Sequence, residues 1–218
     1  NPIMSIEIMN MAYIYETGST ALKSTVFFQS KTFNKSATDF EDFRTAIWSE
    51  FDNGFANDDY VGCDSLLEYF YCYNGDDFDE PGLGSFGFGS HPAASGFVFL
   101  DEDMFNHHYY NNSSNPINGE PASALHYFNY MNSVWKNGLP VLCGGNGVSG
   151  TGVSQDECKY MFPAYPWEDG WNEISTGNIP ADRRCLAAFE PTSLGIGSCV
   201  CRNYALNVAR DLVANFNP

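Results

Sequence analysis

The chain is short of basic side chains and has no long apolar runs. Its 218 residues carry 10 Lys+Arg against 27 Asp+Glu, a formal net charge of −17 with histidine neutral. A phosphate backbone must be met by Lys and Arg, so this balance argues against nucleic acid as a partner. No apolar stretch reaches the roughly 18–20 residues of a membrane span, so no span is expected. The opening residues, NPIMSIEIMN, have neither the basic start nor the apolar core of a signal peptide. With Asn at position 1, the chain reads as processed or as a fragment of a longer multidomain protein. Familiar chemical motifs are missing too. There is no C-x-x-C pair, no H-E-x-x-H and no G-x-S-x-G, and Gly-rich 144–152 lacks the Lys-Ser/Thr of a phosphate loop.

What is present is aromatic and turn-rich. Hydrophobic residues make up 44% and aromatics 16%, which excludes a disordered acidic tail. Twenty Gly with abundant Tyr and Phe fit an extracellular β-rich domain, rings filling strands and Gly and Asn filling turns. Seven cysteines are too many for a reduced cytosolic chain of this size, and without zinc spacing they read as disulfides. Local spacing suggests Cys63–Cys72, Cys143–Cys158, and Cys185 with Cys199 or Cys201. Connectivity does not follow from sequence, and an odd count leaves at least one thiol unbridged within the chain.

Strands are expected at 3–15, 22–33, 43–51, 66–73, 96–100, 183–189 and 198–210, with long loops at 52–64, 74–92 and 139–182. One helix is expected at about 121–137, opened by Pro121 and closed by Gly138. Its stripe of Leu125, Phe128, Met131 and Trp135 should pack on a sheet. The expected fold is therefore mainly β: an antiparallel sandwich-like module with one packed amphipathic helix. Residues 1–218 form one module, with 1–100 and 101–218 as possible subdomains.

The densest chemistry lies in 52–64, DNGFANDDYVGCD. Calcium takes six to eight oxygens from a wrapped loop, and glycines let the backbone curl. Asp52, Asn57, Asp58, Asp59 and Asp64 are the candidate ligands, with Asp76 added from the acidic segment 74–80. The competing reading is a solvated turn whose Asp and Asn cap backbone groups. The four histidines, His91, His107, His108 and His126, have no ligand spacing and read as ordinary imidazoles. Asp182-Arg183-Arg184 reads as a buried ion pair pinning a loop to the last hairpin. Trp167 and Trp171 are candidates for a glycan platform in the 144–178 loops. On the alternative of a glycan or peptide hydrolase, two acids such as Glu168, Asp169 or Glu173 would face each other there, although no motif selects a catalytic pair.

Several segments also resemble a module of large exported Bacteroidetes proteins of the type IX secretion cargo type. They are Asp52…Asp58-Asp59-Tyr60-Val61-Gly62-Cys63-Asp64, Tyr73-Asn74-Gly75-Asp76, Gly144-Gly145-Asn146-Gly147, Lys159-Tyr160-Met161-Phe162-Pro163 and Gly177-Asn178…Pro180…Asp182-Arg183-Arg184. The resemblance spans roughly residues 26–211 with the segment order kept. It departs at Arg184-Cys185-Leu186 and Glu190-Pro191-Thr192, where relatives read Arg-Arg-Phe and Gly-Pro-Phe. It implies export and an extracellular or cell-surface life. Asp64-Ser65-Leu66 matches the short O-glycosylation motif of such proteins, which makes Ser65 a candidate acceptor. The expected role is a structural or adhesive module stabilised by calcium and disulfides. Its partners would be other domains of the same chain or surface molecules. A lectin-like glycan binder and a hydrolase are the alternatives.

Overall fold

The computed structural model describes residues 4–82, 84, 86–150 and 152–210. In chain order the elements are β1 (Ile6–Tyr13), α1 (Thr20–Lys23), β2 (Thr25–Asn34), β3 (Phe40–Phe43), β4 (Ala46–Glu50), β5 (Asp59–Asp64), β6 (Tyr69–Asn74), β7 (Ala93–Phe99) and β8 (Met104–Asn111). They continue with α2 (Ala124–Tyr130), α3 (Glu173–Thr176), β9 (Arg183–Phe189), β10 (Thr192–Leu194) and β11 (Cys199–Arg210). The fold is mainly β and antiparallel. A six-stranded sheet runs β1-β2-β11-β7-β6-β5, a three-stranded sheet runs β4-β9-β8, and β10 pairs with β3.

Strand alternation builds the layers. On β6, Phe70 and Cys72 point inward while Tyr69, Tyr71 and Tyr73 stack along the outer face. Gly96 and Gly62 make room for those outer rings: an added Cβ would sit 2.5 Å from Tyr69 Cζ and 2.8 Å from Tyr71 Cζ. The inner faces of the two sheets meet through Phe99 on Phe189, ring centroids 4.3 Å apart, and Phe70 on His107 at 5.8 Å. The other face of the three-stranded sheet is covered by α2 and its loops, with His108 stacked 4.3 Å from Tyr130 and 4.7 Å from Trp135. This is a sandwich-like arrangement with a third, mostly irregular layer. A division at residue 100 does not follow the sheets. Late β11 lies between early β2 and β7, and early β4 pairs with late β9.

The helix is shorter than its pattern suggests. Ser123 caps its start, accepting from His126 N–H, and Met131 closes it after two turns. Leu125 and Phe128 remain 63% and 42% exposed, so the expected stripe is not the buried face. Tyr130 is buried instead, its hydroxyl donating to Gly119 O at 2.6 Å. Ser133, at φ 56°, then turns the chain so that Trp135 enters the core from outside the helix. Spacing alone could not foresee that reversal.

Cysteine pairing is corrected as well. Cys143 and Cys158 form a disulfide, as local spacing suggested. Cys63 and Cys72 are free and fully buried. They lie on adjacent strands but out of register, Cys63 facing Phe70 and Cys72 facing Val61. Cys185 is buried on β9, whereas Cys199 and Cys201 lie on β11 in the other sheet. Alkylation of unfolded, unreduced protein is expected to label five cysteines and spare Cys143 and Cys158. Seven labels on protein made in an oxidising compartment would reject the bridge. Its 15-residue loop is worth about 3 kcal/mol.

Candidate functional site

The acidic stretch 52–64 is not one loop. Asp59–Asp64 forms β5, because Val61 and Cys63 alternate into the core with Asp59 on the same face. A strand rises about 3.3 Å per residue, so Asp59 and Asp64 stand some 17 Å apart and cannot share an ion. Asp64 instead caps the hairpin turn, accepting from Leu66 and Leu67 N–H at 2.9 and 3.0 Å and from Tyr165 Oη at 2.5 Å. The neighbouring Ser65 is half-buried in that turn. Asp76 accepts from Phe78 N–H at 2.9 Å in a tight Asp turn, and Asn57 is exposed.

Asp58 and Asp59 behave differently. The loops before β5 and after β6 fold together at this corner. Asp79 accepts Phe55 N–H at 2.8 Å and Phe88 N–H at 2.6 Å. Gly54, at φ +76°, lies so close that a Cβ would fall 1.8 Å from Asp79 Oδ2, so only glycine fits. Asn53 links the corner to the core: its N–H donates to Asp59 Oδ2 at 3.1 Å and its Nδ2 to Cys72 O at 3.0 Å. Asp58 is 7% exposed, yet among the described residues no N–H or O–H meets either carboxylate oxygen. Burial, the charge of Asp79 and a carboxyl contact with Glu80 push its pKa up to about 7. Burial pushes Asp59 up to about 8, against the opposing pull of Asn53 N–H, and its Oδ1 is also unmet. Asp58 thus has no donor on either carboxylate oxygen and Asp59 has one on Oδ2 alone, so burial disfavours their charged forms.

Asp52 points elsewhere. Its carboxylate lies within 4.8 Å of those of Glu50 and Asp182, the one such group of three His, Cys, Asp or Glu among the described residues. A cation is already there. Arg184 pairs with Glu50, with Glu120 at 2.8 Å and with Asp182 at 3.6 Å. A buried ion pair is present at this segment, but its acid is not Asp182: Arg183 pairs with Glu173 at 2.9 Å. Glu173 also accepts Val61 N–H at 2.9 Å and Asn178 Nδ2 at 2.9 Å. No hydrolase acid pair forms from the expected trio: Glu173 is engaged by Arg183, Glu168 accepts Tyr165 N–H at 3.2 Å, and Asp169 is exposed.

The two candidate glycan tryptophans also part company. Trp171 packs on Phe162 and donates to Gly145 O at 2.9 Å. Trp167 is 73% exposed and stacks on Tyr165, ring centroids 4.9 Å apart and 4° from parallel. His107 and His108 are fully buried, and burial lowers their pKa values to about 4 and 3. Burial likewise raises Cys63, Cys72 and Cys185, which makes them unreactive packing residues. Glu80 and Asp79 belong to the second acidic segment; only the folding of two distant loops shows that they, rather than Asp64 and Asp76, face Asp58.

Among the described residues no helix is long and apolar enough to cross a membrane. No protein-family model matches the chain, and no curated protein matches it.

Proposed function

We propose that this chain is a secreted or cell-surface structural or adhesive module of a longer exported protein, with calcium bound at the Asp58 corner. The observation that carries the calcium reading is Asp58, 7% exposed with both carboxylate oxygens lacking a donor, beside two further acids. Asp58 would hold the ion together with Asp79 and Glu80, whose ligand atoms do not all lie within 4.8 Å of one another and would have to close on the cation, with Asp59 behind them. A hard divalent cation supplies the positive charge that this all-oxygen set lacks. The Cys143–Cys158 bridge supports an oxidising, extracellular compartment. The resemblance to type IX cargo modules, which rests on the sequence segments, supports export and a place among further domains.

Without a cation, the two raised carboxyls hold protons in the folded state that the unfolded chain, near pKa 3.8, has already released. Their contribution to stability is therefore complete below about pH 4 and is lost as pH rises through 7 to 8. Calcium should reverse that loss. At pH 8, calcium at a hundred times its dissociation constant adds about 2.7 kcal/mol, a rise in melting temperature of roughly 5–10 °C. At pH 5 the rise should be smaller, because protons compete for the same oxygens. Asp58→Asn should raise the chelated melting temperature at pH 8 and abolish the calcium response. Superimposable melts at pH 8 with calcium and with chelator would reject the site.

A further inference from the structure

The six-stranded sheet has two edges, and the chain treats them differently. Along β5 the edge is closed by its own loops: Cys63 N–H donates to Phe162 O at 3.1 Å, Val61 N–H to Glu173, and Asp59 O accepts Ala181 N–H at 3.2 Å. Along β1, among the described residues, nothing pairs with the outer side. Lys35 N–H bonds to Ser5 O at 2.8 Å, and the β1–β2 register runs on from there without a shift. Glu7, Met9, Met11 and Tyr13 therefore bond inward to β2, while Ile8, Asn10 and Ala12 turn their N–H and C=O groups to the bare edge. Natural edges are blunted by Pro, Lys, bulges or a covering loop. Residues 6–13 have none of these, and their one charge, Glu7, is tied to Lys35 at 3.1 Å.

We propose that β1 is a self-association edge. Two copies join their six-stranded sheets by antiparallel β1–β1 pairing, in a register centred on Asn10. Three observations favour a second copy as the occupant. First, charge: residues 1–35 carry three Lys and two Glu, a net of +1, while the remainder carries seven Lys+Arg and 25 Asp+Glu. The β1–β2 edge is therefore far less acidic than the remainder, although the charge of Asp101 reaches Tyr13. Second, area: Met4, Ile8, Met9, Met11, Tyr13, Ile14 and Tyr15 are 37–69% exposed. At roughly 100 Å² each they expose about 700 Å², an upper limit on what edge pairing buries and just under the ~800 Å² per partner of a standard interface. Third, the pairing is self-complementary. A register centred on Asn10 sets Ile8 opposite Ala12 and Met9 opposite Met11, and Glu7 meets Tyr13 rather than another acid. The contact is isologous and closes as a two-fold dimer. This inference does not depend on the calcium reading.

Sedimentation velocity across micromolar concentrations should show a species of twice the 24.2 kDa chain mass, tightened by salt as long-range repulsion is screened. Asn10→Pro removes an outward N–H and no bond to β2, so it should give a monomer with an unchanged circular dichroism spectrum. Ile8→Lys, which adds a charge on the strand without touching its backbone, should do the same. The register has its own probe. With Cys199 and Cys201 changed to Ser, Asn10→Cys should form a covalent dimer with oxidised glutathione, since directly facing residues approach to about 5.5 Å between Cα atoms. Met9→Cys, which faces Met11, should not. A wild-type monomer at every concentration would overturn the proposal, including one whose edge captures another protein's strand. So would a dimer that survives both Asn10→Pro and Ile8→Lys.

Discussion

Replacing Glu173 with Ala is expected to cost about 3–5 kcal/mol, the usual penalty for breaking a buried ion pair from one side. Glu173 is fully buried and Arg183 is 6% exposed, so the guanidinium cannot turn to water for compensation. It would retain Asn111 Oδ1 at 2.9 Å and Ile179 O at 2.7 Å, neither of which carries a charge. Val61 N–H and Asn178 Nδ2 would lose their acceptor in the same stroke. Burial holds the Glu173 carboxyl above its usual range while Arg183 pulls it back, so the pair is a balance rather than a surplus. Glu173→Gln, which keeps a hydrogen-bonding oxygen, should lose less. The double replacement Glu173→Met with Arg183→Met should be milder than the sum of the singles, because it leaves no orphaned charge. Urea midpoints at constant m would read all three. A loss under about 1 kcal/mol for Glu173→Ala would mean that this pair is solvated.

Trp135→Ala should also cost about 3–5 kcal/mol, as truncation of a large core ring does. The side chain is 1% exposed and donates from Nε1 to Gly147 O at 2.8 Å. Its own N–H is taken by Leu139 O at 2.8 Å, and it lies between His108 and Tyr109. Gly147 presses against it at φ +71°, where a Cβ would come within 3.1 Å of the ring. Removing the indole would open a cavity and take one of two donors from Gly147 O, which keeps Leu142 N–H at 3.0 Å. Leu125→Ala is the control. Its residue sits ten positions earlier on the same expected stripe but is 63% exposed, so it should cost under about 0.5 kcal/mol. Equal losses at the two positions would restore the long packed helix and discard the two-turn one.

Pattern reading succeeded where local chemistry alone decides the outcome. Alternating aromatic runs such as Tyr69–Tyr73 and the 12-residue β11 appear as strands because pleating sorts odd from even residues whatever they pack against. Cys143 and Cys158 find each other because a Gly-rich loop of 15 residues brings its ends together cheaply. Reading failed where a distant segment overrules the local one. Residues 52–64 have the oxygen count of a metal loop, yet pairing with β6 on one edge and contacts to Phe162, Glu173 and Ala181 on the other make Asp59–Asp64 a strand.

The residues by themselves therefore determined the acidic charge, the β class and the approximate positions of strands such as β9 and β11, where neighbours within a few residues suffice. Tertiary structure alone decided which acids share a corner. Asp58 reached Asp79 and Glu80 because the loops flanking β5 and β6 close on each other, while Asp64 was carried to the opposite end of its strand. It also decided that Glu173 serves Arg183 and that, among the described residues, one sheet edge is covered and the other bare. Burial and charge depend on what lies nearby in space, and in a sheet whose neighbours come from both ends of the chain that distance is not written in sequence separation.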